Sequence, residues 1–262
     1  MSVVNATHTV LSNERVAEDT FALRFSSPEL AASIRPGQFM NILTDAAMDP
    51  LLRRPYSISS VDGDVCEILY AVVGKGTGIL ARKRPGDDIG VFGPLGNTFG
   101  YDKDFGTALI VAGGIGVAPF PYLTRELQRR ERPVLTFLGA RSAARAVTRG
   151  LANVQLATDD GSAGFHGTVI ACLEKYLAAH QVDAPRIFAC GPNPMLAATQ
   201  AFAIERGIPC ELSLESEMAC GIGICQGCPI EKHHGERKYS LVCTDGPCFD
   251  ANDIVFHEHH HA

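Results

Sequence analysis

Thr107-Ala-Leu-Ile-Val-Ala-Gly-Gly-Ile-Gly-Val-Ala-Pro119 is the stretch that decides how this chain folds. Five consecutive apolar residues, 108–112, read as a buried strand, and the glycines after them free the backbone N–H groups to approach a phosphate. Pro119 suits the first turn of the helix that opens there. Strand, Gly-rich turn and helix in this order predict a dinucleotide-binding unit, with Gly113, Gly114 and Gly116 at the phosphates. The fingerprint is incomplete, because Pro119 replaces the third glycine of G-x-G-x-x-G.

Towards the C-terminus the same rhythm continues. Residues 134–138, 154–157, 186–189 and 210–214 read as further buried strands, and 119–130, 168–180 and 194–206 as helices, which together make a doubly wound parallel sheet. Cys190-Gly-Pro-Asn-Pro-Met195 ends the fourth strand, where ligands of open α/β sheets gather. Gly191 and Pro192 are therefore cofactor candidates. Cys190 reads as a small side chain lining a nicotinamide pocket and not as a nucleophile, since no His lies near it in sequence and hydride transfer needs none.

Towards the N-terminus the pattern changes to short β-prone runs, 21–25, 38–43 and 66–73, parted by Pro36-Gly37 and Asp62-Gly63. They predict a small antiparallel barrel or sandwich. Arg54-Pro-Tyr-Ser57 sets a forked cation beside an aromatic ring and a hydroxyl, each with a task at a flavin: phosphate pairing, ring packing and a hydrogen bond to the ring edge. Its plain alternative is a surface Arg beside a core Tyr. Gly74-Lys-Gly-Thr77 adds a turn whose N–H groups suit a pyrophosphate. Gly93-Pro-Leu-Gly-Asn97 reads as a rigid turn or a connector.

The last fifty-two residues differ from the rest. Residues 1–210 carry 20 acidic and 20 basic side chains and 211–262 carry 9 and 3, so the whole formal charge of -6 sits in the tail. A negative chain repels phosphate backbones, which argues against a nucleic-acid partner. Of nine cysteines, five lie in the same tail. Cys220-Gly-Ile-Gly-Ile-Cys225-Gln-Gly-Cys228, followed after fourteen residues by Cys243, has the C-x4-C-x2-C…C spacing of a plant-type 2Fe-2S site. A structural zinc site is the alternative, with Cys225, Cys228, Cys243 and Cys248 as thiolates and His233 and His234 between them. Cys248, Cys66 and Cys172 otherwise read as packing residues. With no apolar periodicity of its own, the tail is expected to need its metal to fold. The N-terminus has no signal-like pattern, the longest uncharged run is too short and too rich in Gly and Pro to span a bilayer, and a cytoplasmic location is expected. The His-rich end at 257–261 stays outside the site.

Taken in order, R-P-Y-S, G-G-I-G-V-A-P, the D-D-G-S turn from Asp159 to Ser162, C-G-P-x-P-M-L, M-A-C-G-I-G-I-C-Q-G-C and V-C-T-D-G-P resemble one family over nearly the whole chain. The family is the electron-transfer subunit of type B dihydroorotate dehydrogenase, similar in turn to the ferredoxin-NADP reductase superfamily. Input subunits of hydrogenases and of ferredoxin-NADP oxidoreductases look similar and often carry Asp where this chain has Cys220. The resemblance implies an antiparallel flavin-binding barrel at 1–100, an NAD-binding α/β domain at 101–212 and a small 2Fe-2S domain at 213–262. It implies FAD on Arg54, Pro55, Tyr56, Ser57, Gly76 and Thr77, NAD(H) on the glycine loops and Asp159, an acid near the flavin at Glu215, and a cluster on Cys220, Cys225, Cys228 and Cys243. The implied partner is an FMN-containing catalytic subunit, in a heterotetramer, that oxidises dihydroorotate in pyrimidine biosynthesis. Gly139-Ala-Arg141-Ser142 stands where an NAD enzyme usually has an acid for the ribose, which suits NADP instead, while the resemblance implies NAD. A zinc-stabilised binding module is the reading without an enzyme.

Overall fold

The structure is a computed structural model that describes residues 3–45, 49–233 and 237–257. His234 and the end of the chain from residue 258 lie outside the described residues. Strands β1 (Val4–Arg15), β2 (Thr20–Ser26), β3 (Phe39–Leu43), β4 (Arg54–Asp62), β5 (Val65–Ala71) and β6 (Asp88–Leu95) close an antiparallel barrel in the order β1-β2-β5-β4-β3-β6. The short helices α1 (Pro28–Ser33) and α2 (Lys75–Leu80) fill two of its connections.

Alternation divides the β2–β5 pair between two cores. Phe21, Leu23 and Phe25 stand opposite Tyr70, Ile68 and Cys66, and these six fill the barrel. The paired Ala22 and Leu69 face the other way, into the core they share with Phe120, Val117 and Phe188. One strand pair thus supplies both a barrel wall and a surface on which the second unit packs. Of the barrel strands, β1 leaves the weakest trace in the sequence, because only Val4 and Val10 of its twelve residues are buried. Backbone pairing to β2 and β6 holds it in place.

The second sheet has seven strands in the order β10-β9-β8-β7-β11-β12-β15. Its parallel members are β7 (Ala108–Gly113), β8 (Val134–Ala140), β9 (Val154–Thr158), β10 (Phe165–His166), β11 (Arg186–Cys190) and β12 (Cys210–Ser213). Helix α3 (Phe120–Arg129) covers the face turned to the barrel, and α4 (Val169–Ala179) and α5 (Asn193–Arg206) cover the other. The Thr168 hydroxyl caps α4 by accepting from Ala171 N at 3.2 Å, and Gly207 at φ +64° ends α5. Strand order runs one way from β7 to β10 and the other way from β11, so the switch point lies between β7 and β11.

The tail forms a small ribbon, β13 (Pro229–Glu231) with β14 (Tyr239–Leu241), and then β15 (Cys248–Asp250) pairs antiparallel with β12. Phe249 faces Leu212 across that pair, and Val242, Cys228, Cys243 and Ile254 join the same core as Leu109 and Val111 of β7. A tail expected to depend on its metal therefore also buries its apolar residues on the nucleotide sheet. Single-sequence periodicity misses this, because the partners of Phe249 and Ile254 lie elsewhere in the chain.

Asn97 staples the tail to the end of the barrel. Its Nδ2 donates to Asp245 O at 3.0 Å and to Cys248 O at 2.8 Å, and its Oδ1 accepts from Cys248 N at 2.9 Å. The Gly93–Asn97 connector is thus a docking point. Asn97→Ala removes three hydrogen bonds and leaves part-buried backbone groups unpaired, so a loss of about 3 kcal/mol is expected, at roughly 1 kcal/mol per bond. Amide exchange at Phe249 should rise in the variant while the barrel amides keep their protection.

Candidate functional site

A cleft of about 500 Å³ opens where the barrel, the nucleotide sheet and the tail meet. Arg54, Pro55, Tyr56 and Ser57 form one wall from β4, Thr77 borders it from α2, and Ile115 and Ala118 enter from the loop after β7. The opposite wall is Ser213 to Met218 with Pro247, so the segment leading into the cysteine loop also lines the cleft. Tyr56 meets Tyr70 edge to face with ring centroids 6.1 Å apart. Burial pushes its phenol up to about 12, so the hydroxyl stays a neutral donor. Among the described residues that hydroxyl has no hydrogen-bond partner. A buried donor left open in a mostly apolar cleft fits the polar edge of a flavin.

Gly76 lets the Arg54 side chain lie close to the turn, since a Cβ there would stand 3.3 Å from Arg54 Nε. The Thr77 hydroxyl accepts from Val73 N at 2.9 Å and Gly74 N at 3.1 Å, so it shapes the turn as well as bordering the cleft. Glu215 keeps an exposed edge on the cleft, while the protein packed behind it holds its carboxyl above the usual 4.5. A carboxyl raised in the fold contributes its full stability below the unfolded value and loses it as pH rises through the folded value. In Glu215→Gln the melting temperature should therefore fall less than in the native chain as pH climbs from 4.5 through the weakly acidic range. Identical profiles would count against this.

The glycine loops meet at the switch point. A Cβ on Gly116 would lie 2.4 Å from Cys190 O and 2.6 Å from Gly191 Cα, so the loops after β7 and β11 touch backbone to backbone. Met195 Sδ occupies the space a Cβ on Gly113 would need, at 2.5 Å, and its Cε would stand 2.6 Å from a Cβ on Gly191. Met195 therefore shapes this corner, a role that the quoted C-G-P-N-P-M stretch contains but does not reveal. Pro192 packs here too, its Cδ 3.0 Å from the Gly113 position. Gly114, at φ +54°, faces open space. Cys190 is buried, and Ser213 beside it is the side chain that lines the cleft. Burial, then the nearby Glu215 charge, pushes the Cys190 thiol far up, against an opposing hydrogen bond from Ser213. Such a thiol is no nucleophile at neutral pH.

Asp159 stands exposed at the C-terminal end of β9, its N–H donating to Ala140 O at 3.1 Å. The D-D-G-S turn closes on the G-A-R-S stretch through Ser162, whose hydroxyl accepts from Ala143 N at 2.8 Å. Ser162 also holds the Asp160 carboxyl below its usual range. Neither Asp159 nor Arg141 reaches the flavin cleft.

In the tail the thiols stand as two pairs. Cys220 Sγ and Cys225 Sγ are 3.3 Å apart, and Cys243 is hydrogen-bonded to Cys228. The N–H groups of Cys225 and Ile222 point at the Cys220 sulfur from 3.4 and 3.5 Å and lower its thiol to about 7. Burial, and then the neighbouring Cys228, raises Cys243 to about 11. Gly221 at φ +73° and Gly223 at φ +80° give the loop its left-handed turns. Among the described residues no three metal-ligating side chains converge on one point. Two thiol pairs, one within the 220–225 loop and one joining Cys228 to Cys243 across the β13–β14 ribbon, with N–H groups aimed at the Cys220 sulfur, fit a 2Fe-2S site better than one zinc. Cys248 belongs to neither pair; it is buried in β15.

Residues 215–255 match the model of the iron-sulfur cluster binding domain of dihydroorotate dehydrogenase B. Over the chain as a whole, the dihydroorotate dehydrogenase B (NAD(+)) electron transfer subunit of Geobacillus thermodenitrificans is 40% identical, covering 94% of this chain and 97% of the relative. That of Desulforamulus reducens is 36% identical with the same coverage. The chain belongs to the electron-transfer subunits of dihydroorotate dehydrogenase B. A solved structure described as an NADH-dependent reduced ferredoxin-NADP oxidoreductase, studied for flavin-based electron bifurcation, superposes with a TM-score of 0.83. It is 28% identical, and the match covers 95% of this chain and 90% of that one. The ferredoxin reductase of carbazole 1,9a-dioxygenase shares the fold at a TM-score of 0.63 and 20% identity, over 80% of this chain and 68% of that one. In this dihydroorotate dehydrogenase B subunit the matched cluster segment begins at Glu215 on the cleft wall and runs through β15.

Proposed function

We propose that this chain carries electrons between NAD(H), FAD and a 2Fe-2S cluster, and so links an FMN-containing dihydroorotate dehydrogenase subunit to NAD+ in pyrimidine biosynthesis. The observation that carries the reading is continuity: Glu215 to Met218 wall the flavin cleft, and Cys220 follows two residues later. When bound, FAD supplies the exchange between a two-electron hydride and single electrons. Arg54 and the 74–77 turn hold its phosphates, Tyr56 and Ser57 hold the ring, and the glycine loops place the nicotinamide cofactor against it. Cys190 and Ser213 keep that corner neutral. Cys220, Cys225, Cys228 and Cys243 hold the cluster, and Cys225, with Ile222 and Ile224, lies exposed on the side open to a partner.

The flavin region is assigned to 1–100, the nicotinamide region to 101–212 and the cluster region to 213–262. Among the described residues no helix is long and apolar enough to cross a membrane. A reducing cytoplasm suits nine free cysteines and an iron-sulfur site. NAD is preferred over NADP, because the relatives are named as NAD(+) enzymes. The test is co-expression with the catalytic subunit. A brown complex that reduces NAD+ with dihydroorotate only when both chains are present is the expected result. A colourless zinc protein, or exclusive assembly with a hydrogenase-type partner, would overturn it.

A further inference from the structure

The ends of β7, β8 and β9 stand in a row at the edge of the nucleotide sheet. Gly113 at the end of β7 stands opposite Gly139 of β8, and Ala140, which ends β8, stands opposite Thr158, which ends β9. Arg141 and Asp159 are therefore the first residues beyond the two strands that lie next outward from the glycine loop. Backbone bonds stitch them together, with Asp159 N donating to Ala140 O at 3.1 Å and Asp160 N to Arg141 O at 3.2 Å. A dinucleotide whose pyrophosphate rests on the loop after β7 lays its adenosine ribose over these ends, away from the flavin cleft. Both side chains are exposed there, and among the described residues no ion pair or side-chain hydrogen bond engages either of them.

The cations that would suit a 2′-phosphate are mostly engaged elsewhere. Residues 141–149 hold three arginines. Arg145 is paired with Glu18 at 3.1 Å and Asp19 at 2.9 Å, and Arg149 with Glu67 at 3.0 Å, all carboxylates of the barrel and its β1–β2 turn. Arg141 alone is left, and it shares its corner with two carboxylates. That of Asp160 accepts from the Ser162 hydroxyl at 2.6 Å and from Ser162 N at 2.9 Å, which keeps it charged and fixed. A ribose offers hydroxyl donors that a carboxylate accepts, whereas a 2′-phosphate adds negative charge where two carboxylates already outnumber one guanidinium.

We propose that Asp159 selects NAD over NADP: its carboxylate accepts hydrogen bonds from the adenosine ribose, and Asp159 and Asp160 together repel a 2′-phosphate. The acid that NAD enzymes usually carry after the second strand is thus supplied from the end of the third, and Gly139-Ala-Arg141-Ser142 does not mark an NADP site. The inference rests on reading the loops after β7 and β11 as the site of a nicotinamide dinucleotide.

Asp159→Asn keeps the shape and removes the charge at an exposed position. In the full chain loaded with FAD, the ratio of kcat/KM for NADH over NADPH in dye reduction should fall by about 10- to 100-fold, the range of a hydrogen bond to a charged group. The change should appear in KM, with kcat for NADH held, because the ribose contact is made equally before and during hydride transfer. Calorimetric titration with NAD+ and with NADP+ reads the same selectivity without turnover, and the gap between the two affinities should narrow in the variant. An unchanged ratio or an unchanged gap in a variant with full FAD overturns the inference, and so does a native chain that prefers NADPH. A native chain that binds neither dinucleotide sinks the functional reading and this inference together, whereas one that binds NAD+ beside an unaltered variant sinks only the inference.

Discussion

Cys225→Ser should leave a folded, yellow protein that still passes electrons from NADH to an artificial dye but no longer links dihydroorotate to NAD+. Cys225 is the exposed member of the four thiols, so its replacement removes a proposed cluster ligand without opening a hole in the core. The Cys228 and Cys243 side of the loop stays packed against the nucleotide sheet, and β15 stays paired with β12. Removing an outer-sphere partner of a ligand costs roughly 10- to 100-fold. Loss of the ligand itself should exceed that range in the coupled assay, with the 2Fe-2S EPR signal gone and the flavin absorbance intact. A variant that keeps coupled turnover near the native rate would remove Cys225 from the ligand set. Serine is the stringent choice, since its oxygen is a poor substitute for thiolate at iron and it fills nearly the same space.

Gly116→Ala should be among the most damaging single methyls in the nucleotide unit. The added Cβ would lie 2.4 Å from Cys190 O and 2.6 Å from Cys190 C and Gly191 Cα, all of them backbone atoms that cannot rotate aside. Overpacking of this kind costs about 1–3 kcal/mol where side chains can yield, and the upper end or more is expected where only backbone can. At roughly 2–4 °C per kcal/mol for a chain near this size, the melting temperature should fall by about 6–12 °C. NADH binding should weaken with it, because the loops that separate are those at the switch point. Gly114→Ala is the control. That position has nothing within 4 Å but a φ of +54°, so the loss should stay at about 1–2 kcal/mol, the cost of a left-handed residue. Equal losses in the two variants would mean that the contact between the loops is not what holds this corner.

Much of the molecule can be read along the chain because its signals are local. The parallel strands and their helices appear in the apolar runs and turn residues of 107–213, the barrel in its short alternating segments, and the cluster in the spacing of four cysteines with glycines between them. Each depends on residues close together in the chain, the widest of these sets being the four cysteines between positions 220 and 243. β1 escapes this reading, since its backbone bonds and not its side chains define it. So does the end of the tail, whose Phe249 finds Leu212 only after the nucleotide sheet exists.

The site divides along the same line. Arg54, Tyr56, Ser57, the glycine loops and the four thiols announce themselves by type and spacing, and the order of these motifs along the chain points to one family of electron-transfer subunits. Sequence alone could not place Asn97 on the tail, Met195 over Gly113 and Gly191, Ser213 beside Cys190, or Asn41 against Gly221. Every one of these contacts joins segments that are far apart in the chain or meet only after strands have paired. The chemistry of this protein is therefore written in residue types and spacings. The distance and coupling between its redox centres are decided by which strand ends the closed barrel and the twisted sheet bring together.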